Sequence, residues 1–210
     1  MVFARKRFGQ HFLHDPATRQ RIVDAVGAGP DDAVVEIGPG RGALTRLLRE
    51  RAGTLDVIEI DRDLAAALAQ EFAADPGFTL HGADALRFDF AALAQARGRR
   101  LRVVGNLPYN VSTPLLFHLL ETHAAIADLH VMLQREVIER IVAAPDSEHY
   151  GRLGVMLAPW VDAEHLFDVG PGAFQPPPRV WSAVARLRVR SEPAFAVDDR
   201  YGRLVTAAFS

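Results

Sequence analysis

The 210-residue chain predicts an α/β fold: a doubly wound, mostly parallel sheet with an antiparallel end. Three observations carry that reading. Short apolar, β-branched runs alternate with helical patterns from Val34 to Val142, the sequence form of repeated β-α units. A glycine-rich turn, Gly38-Pro39-Gly40-Arg41-Gly42, stands between the first of those runs and the helix behind it. Two later strand-like runs, Val161 to Val169 and Trp181 to Val189, follow one another with no helix between them, which favours antiparallel pairing.

The elements follow in order. Residues 1 to 14 read as an arm. Asp15-Pro16 supplies an N-cap and a proline at the first helical position, and Ile22, Val23 and Val26 give that helix its apolar stripe up to Gly27. Val34 to Ile37 is the first strand of the sheet, and the helix after the glycine turn runs through Leu44, Leu47 and Leu48. Leu55 to Ile60 is the second strand, with a helix from Asp61 or Arg62 to about Ala74. Phe78-Thr79-Leu80 is the third, ending near Asp84. A helix over 89 to 97 leads to the fourth strand, Leu101 to Val104. Then come a helix over Ser112 to Leu120, a fifth strand over Leu129 to Leu133, and helices over Glu136 to Val142 and Leu153 to Trp160. The pattern divides the chain into a main domain, 1–192, and a segment, 193–210, that begins something helical.

About half of the residues are apolar, the chain has no cysteine, and the formal net charge is -2. Disulfide scaffolds and thiolate chemistry are excluded, and a protein coated by nucleic acid is disfavoured. The N-terminus lacks the apolar core of a secretory signal and no run reaches the ~20 apolar residues of a membrane span, so a soluble, cytoplasmic protein is expected. Positive charge gathers in three clusters: Arg5-Lys6-Arg7; Arg97, Arg99, Arg100 and Arg102; and Arg186, Arg188 and Arg190. Each is either a phosphate-recognising patch or ordinary solvated surface. His118, His123 and His130 lack a compact ligand spacing, so no metal is expected.

Ligands of open α/β sheets bind outside the carboxyl ends of the strands. Glu36-Ile37-Gly38-Pro39-Gly40-Arg41-Gly42 lies at such an end, where glycines allow close backbone approach. Glu59 lies at the end of the second strand, 21 residues after Gly38, where an acid accepts from a ribose diol. Asp84 lies at the end of the third, where a carboxylate can accept from an adenine amine or simply cap a turn. Glu36 places a negative charge beside the glycine turn. That charge suits the cationic end of S-adenosyl-L-methionine and would repel a dinucleotide pyrophosphate.

The fourth strand runs into Asn106-Leu107-Pro108-Tyr109. A nucleobase amine is a poor nucleophile because its lone pair is delocalised. Acceptors aimed at its two N–H bonds favour pyramidal nitrogen and the charge that develops there. Asn106 Oδ1 and the Leu107 carbonyl, steadied by Pro108, can be those acceptors, and Tyr109 offers a face for stacking. The alternative is that Asn106 merely caps the helix near Ser112.

G-Q-H-F-L-H-D, E-I-G-P-G-R-G-A-L-T, I-E-I-D, N-L-P-Y-N-V-S-T-P-L, M-L-Q-R-E-V, Y-G-R-L and F-Q-P-P-P-R-V-W-S-A-V run in order from Gly9 to Leu187. Together they resemble the ribosomal RNA adenine N6-dimethyltransferases, in the wording of the small-subunit branch. The resemblance implies a Rossmann-like methyltransferase, and a monomer is expected. It implies dimethylation of two adjacent adenosines near the 3′ end of 16S rRNA in the immature 30S subunit, with S-adenosyl-L-methionine as donor and a role in subunit biogenesis. Cofactor contacts carry onto Gln10, His11, Leu13, Gly38, Glu59, Asp84 and Asn106, beside Glu36 and Gly40 from the strand-end reading. Many members have Asn where this chain has His11. Asn106 to Tyr109 would hold the adenine, with Phe174 on its opposite face; from the residues alone, Phe174 ahead of Pro176-Pro177-Pro178 is either an aromatic on a stiffened loop or an ordinary core phenylalanine. The family continues past Ala207-Ala208-Phe209-Ser210 with a basic segment and a small helical RNA-binding domain, of which 193–210 would be the start. Three other readings stay open at this point: a macrolide-resistance type 23S rRNA methyltransferase, a non-catalytic RNA-binding assembly factor, and a DNA or protein amino-group methyltransferase.

Overall fold

A computed structural model describes residues 11–198 and 200–210. In chain order the elements are β1 (Phe12–Leu13), α1 (Pro16–Val26), β2 (Ala33–Ile37), α2 (Thr45–Arg49), β3 (Thr54–Ile58), α3 (Arg62–Glu71), β4 (Phe78–His81), α4 (Phe90–Arg97), β5 (Leu101–Asn106), α5 (Ser112–Glu121), β6 (Ile126–Gln134), α6 (Arg135–Val142), α7 (Arg152–Leu157), β7 (Val161–Val169), β8 (Phe174–Gln175), β9 (Ser182–Val189) and α8 (Tyr201–Ala208). Seven strands form one sheet in the order β4-β3-β2-β5-β6-β9-β7. The first five are parallel, and β9 runs antiparallel to both of its neighbours. The chain builds outward from β2 in one direction through β3 and β4, and in the other from β5 to β6. The order therefore reverses between β2 and β5, which is where open sheets leave a crevice.

Side chains alternate across β2, so each half of its apolar set enters a different layer. Ala33, Val35 and Ile37 pack with Val103 and with Leu115 and Leu119 of α5. Val34 packs on the other face with Ile22, Val23 and Val26 of α1 and with Leu48 of α2. Asp15 caps α1 by accepting from the Thr18 amide at 2.7 Å, and Gly27 ends it in the left-handed region. Among the described residues no helix is long and apolar enough to cross a membrane.

The boundaries expected from the sequence move by a few residues, and two features are new. Leu153 to Trp160 is shorter as a helix than its apolar pattern suggests, because Val161 already begins β7 and α7 ends at Leu157. β1 and β8 form a separate two-stranded antiparallel sheet with Phe12 opposite Gln175 and Leu13 opposite Phe174. The basic cluster at Arg5-Lys6-Arg7 lies outside the described residues.

The second basic cluster is mostly internal scaffolding. Arg102 reaches Asp32 at 2.8 Å and Asp128 at 3.0 Å, and Arg100 donates to the carbonyls of Ile126 and Val189. Arg97 grips Asp56 through two hydrogen bonds of 2.8 Å. In the third cluster Arg186 and Arg190 pair with Glu164 and Asp162 on β7, while Arg188 stays exposed. Asp56 is fully buried on β3 and also meets His81 Nε2 at 2.8 Å. Burial alone would raise its pKa, but His81 and Arg97 together hold it below the usual carboxylate value. The folded-state pKa is depressed, so the stabilisation is present above the unfolded value and is lost as pH falls through the folded one. Asp56→Ala leaves Arg97 unpaired but about a quarter exposed, so water can partly replace the carboxylate. The expected cost is about 3 kcal/mol in urea unfolding at neutral pH, the low side of what breaking a buried pair brings, and it shrinks below pH 4.

Candidate active site

A cavity of about 310 Å³ opens at the carboxyl ends of β2, β3 and β5, over the crevice between β2 and β5. Its floor is the glycine turn. Gly38, Gly40 and Gly42 all take positive φ (67°, 57° and 75°), which bends the chain back on itself just after β2. A side chain at Gly38 would come within 3.9 Å of the Asn106 carbonyl oxygen, so the glycine turn and the end of β5 are neighbours. At Gly40 a Cβ would sit 3.1 Å from the Phe12 ring, so this glycine also lets the β1 arm lie across the turn.

Two carboxylates define the electrostatics. Glu59, just past β3, is 5 % exposed. It accepts from the Gly40 amide at 3.2 Å through one oxygen and from the Asp61 amide at 2.8 Å through the other. Burial raises its pKa against those amides. Glu36, inside β2, is buried, and its Oε2 has no hydrogen-bond partner among the described residues. Burial pushes its pKa from 4.5 up to about 7, with the Thr45 hydroxyl opposing and the Glu59 carboxylate adding to the rise. Two acids held close together and one unsatisfied oxygen make a site that favours a positive group.

Asp84 lines the cavity beyond β4 and caps the short 3₁₀ turn Ala85–Arg87 by accepting from the Leu86 amide at 3.0 Å. Its capping role is therefore real, and its Oδ2 makes no hydrogen bond among the described residues.

Asn106 does not cap a helix. α5 begins after Val111 with no side-chain cap, and Asn106 Nδ2 donates instead to the His11 carbonyl at 3.1 Å. With Nδ2 committed, the acceptor that remains on the amide is Oδ1. Leu107 buries its side chain and ties its amide to the Met132 carbonyl at 3.2 Å, the carbonyl of Leu107 receiving no donor among the described residues. Pro108 and Tyr109 complete the cavity wall. Tyr109 is half-buried, and its hydroxyl meets Ser182 Oγ at 2.8 Å.

Of the residues singled out in the sequence, His11, Leu13, Glu36, Gly38, Gly40, Glu59, Asp84, Asn106, Leu107, Pro108 and Tyr109 all line this one cavity. Gln10 lies outside the described residues. Phe174 does not line the cavity: it is 2 % exposed and packs in the core with Leu13, Met132 and Val184, while Gln175 beside it lines the cavity. The alternation of β8 explains this, since the residue facing the core and the residue facing the cavity are adjacent. Ser182 and Phe12 were not singled out. Ser182 could have been found from one fact: β9 runs antiparallel, so its first residue lies at the carboxyl end of the parallel strands.

The family model described as ribosomal RNA adenine dimethylase matches residues 1–210. The ribosomal RNA small subunit methyltransferase A of a Burkholderia species is 57% identical over 99% of this chain and 76% of its own length. Its counterpart in Pseudomonas aeruginosa is 51% identical over 99% and 78%. Among solved structures, the 23S rRNA methyltransferase ErmE superposes with a TM-score of 0.76 at 32% identity, over 93% of this chain and 77% of that one. A dimethyladenosine transferase from Plasmodium falciparum gives 0.77 at 26% identity, over 86% and 64%.

Proposed function

This chain belongs to the ribosomal RNA adenine dimethylase family, and from that premise we propose that it is a 16S rRNA adenine N6-dimethyltransferase. Two adjacent adenosines near the 3′ end of the RNA, in the immature 30S subunit, are its substrate, and it acts as a cytoplasmic monomer. The observation that carries the choice of subunit is the 57% identity to a small-subunit enzyme against 32% to the 23S enzyme ErmE. The presence of the Asn106 to Tyr109 turn beside the glycine floor speaks for catalysis over a purely structural assembly role.

The residues fit S-adenosyl-L-methionine. The unpartnered Glu36 oxygen calls for a cation, the glycine turn admits a backbone-close ligand, and Glu59 and Asp84 offer acceptors at successive strand ends. When bound, the cofactor supplies an electrophilic methyl group on a sulfonium centre. Glu36 would face its positive charge, Glu59 would accept from the ribose diol, and Asp84 Oδ2 would accept from the adenine amine. On the substrate side, Asn106 Oδ1 and the Leu107 carbonyl accept from the two N–H bonds of the target amine. They draw its nitrogen toward a pyramidal shape and stabilise the charge that develops there. Tyr109 holds the base by stacking. The nitrogen sheds one proton to water for each methyl group it gains, so no side chain need act as a strong base.

The test is transfer of radiolabelled methyl to undermethylated 30S subunits, with primer extension to locate it. Label confined to 23S rRNA in 50S subunits would overturn the choice of substrate. Because the Tyr109 hydroxyl meets Ser182, Tyr109→Phe and Ser182→Ala remove the same bond. Each is expected to slow transfer about fivefold, the equivalent of ~1 kcal/mol, and the double variant to be no slower than either alone.

A further inference from the structure

We propose, resting on the functional reading above, that Arg46 and Glu71 are positioning residues for the methyl donor, holding the carbonyl side of the glycine turn from outside the cavity. Arg46 lies in α2, and its guanidinium spans the turn and the end of α3. Nη1 donates to the Arg41 carbonyl at 3.0 Å and to the Gly42 carbonyl at 2.8 Å. Nε and Nη2 donate to the two carboxylate oxygens of Glu71 at 2.5 and 2.6 Å. A planar fork can make this two-sided grip; a single ammonium cannot. Neither Arg46 nor Glu71 lines the cavity.

The pair does little for its own helices. Glu71 is the last residue of α3, where the helix dipole disfavours an acid, and that last turn holds no basic residue to offset it. The two side chains are 48% and 38% exposed, and an ion pair so open to water adds little to global stability. What the pair does is close a circuit. Glu59 accepts from the Gly40 amide with one oxygen and from the Asp61 amide with the other, and Asp61 caps the start of α3. Glu71 ends the same helix and leads back, through Arg46, to the carbonyls of Arg41 and Gly42. The turn is therefore gripped on its amide side from the head of α3 and on its carbonyl side from the tail. Leu68 backs it in between: a Cβ at Gly42 would lie 2.9 Å from Leu68 Cδ2.

The turn needs such a brace. Three glycines at positive φ within five residues make a backbone with many alternative conformations, and ordering it would count against ligand binding. A turn already fixed loses less freedom when the ligand arrives. Neither carbonyl can swing away without breaking a bond to Arg46.

The experiment uses the full chain, Arg46→Ala, the nearly isosteric Glu71→Gln, and the double variant. S-adenosylhomocysteine affinity is measured by calorimetry, KM for S-adenosyl-L-methionine and kcat by methyl transfer to undermethylated 30S subunits, and folding by urea unfolding. Arg46→Ala is expected to weaken S-adenosylhomocysteine about fivefold and to raise KM for the methyl donor by a similar factor, with kcat within about twofold. Glu71→Gln is expected to lose about threefold in affinity, and the double variant no more than Arg46→Ala alone, because the carboxylate acts only through the guanidinium. Urea midpoints should stay within about 0.5 M of one another, so that the affinity loss is not a loss of fold. Unchanged affinity in Arg46→Ala, a loss confined to kcat, or losses that add in the double variant would overturn the brace and leave the enzyme's function standing. An unsubstituted chain that binds no S-adenosylhomocysteine would overturn the cofactor reading, and the brace with it.

Discussion

Asn106→Ala is expected to lower methyl transfer by two to three orders of magnitude, about 3–4 kcal/mol of transition-state stabilisation. The reason lies in how the side chain is held. Nδ2 is already engaged with the His11 carbonyl, so Oδ1 is set in place before substrate arrives and costs no reorganisation when charge develops on the amine. The alanine variant also loses the tie to the arm, a penalty of about 1 kcal/mol in stability, so a melting curve must accompany the assay. Cofactor affinity separates the possibilities. A fall of only a few-fold in S-adenosylhomocysteine binding, with transfer nearly abolished, fits an acceptor for the amine. Asn106→Asp keeps an oxygen at the acceptor position but sets a carboxylate against the His11 carbonyl, and is expected to fall between the two. Unchanged transfer in Asn106→Ala would sink the mechanism.

The second expected result concerns Glu36, and its two halves have opposite signs. The folded-state pKa of about 7 lies above the ordinary 4.5. A raised acid favours its protonated form in the folded chain. The chain is therefore unpenalised below the unfolded value, loses stability as pH rises from 4.5 to about 7, and carries the full penalty above that. The penalty is roughly 3 kcal/mol. Glu36→Gln removes it, so the variant is expected to be more stable than the unsubstituted chain by up to roughly 3 kcal/mol at pH 8 and indistinguishable from it at pH 4.5. The same change removes the charge that faces a cation, so S-adenosyl-L-methionine should bind at least tenfold more weakly and lose its thermal shift. Calorimetry of the unsubstituted chain at pH 6.5 in buffers of different ionisation heat should register proton release on binding, because a cationic ligand pulls the Glu36 pKa back down. A Glu36→Gln variant that is destabilised at pH 8 while binding normally would refute both halves.

The strand ends were legible because their determinants are local. Gly38, Glu59, Asp84 and Asn106 each follow a short apolar run, and parallel strands bring all such ends to one edge. What could not be read locally was long-range. β1 and β8 are two residues each and more than 150 residues apart, too short to show a period. The burial of Phe174 is not legible locally for that reason, since only its pairing with Leu13 says which way it faces. The arginines at 97, 100 and 102 look like surface charge until their partners at Asp56, Ile126 and Asp128 are known. Ser182 carries no signal of its own; a serine at the head of a strand is ordinary until Tyr109 stands beside it.

The placement of β9 between β6 and β7 sets a timetable for synthesis. β7 leaves the ribosome before β9, yet its ladder in the large sheet is with β9 alone, so it waits as a single strand until residues 182–189 emerge. By then the strands that flank the crevice, β2 and β5, with both carboxylates and the glycine turn, have already been made. Ser182, which meets the Tyr109 hydroxyl, comes in that last stretch. The parallel half of the sheet is therefore made before the strand that joins β7 to it, and the cavity gains its Gln175 wall only in that late stretch.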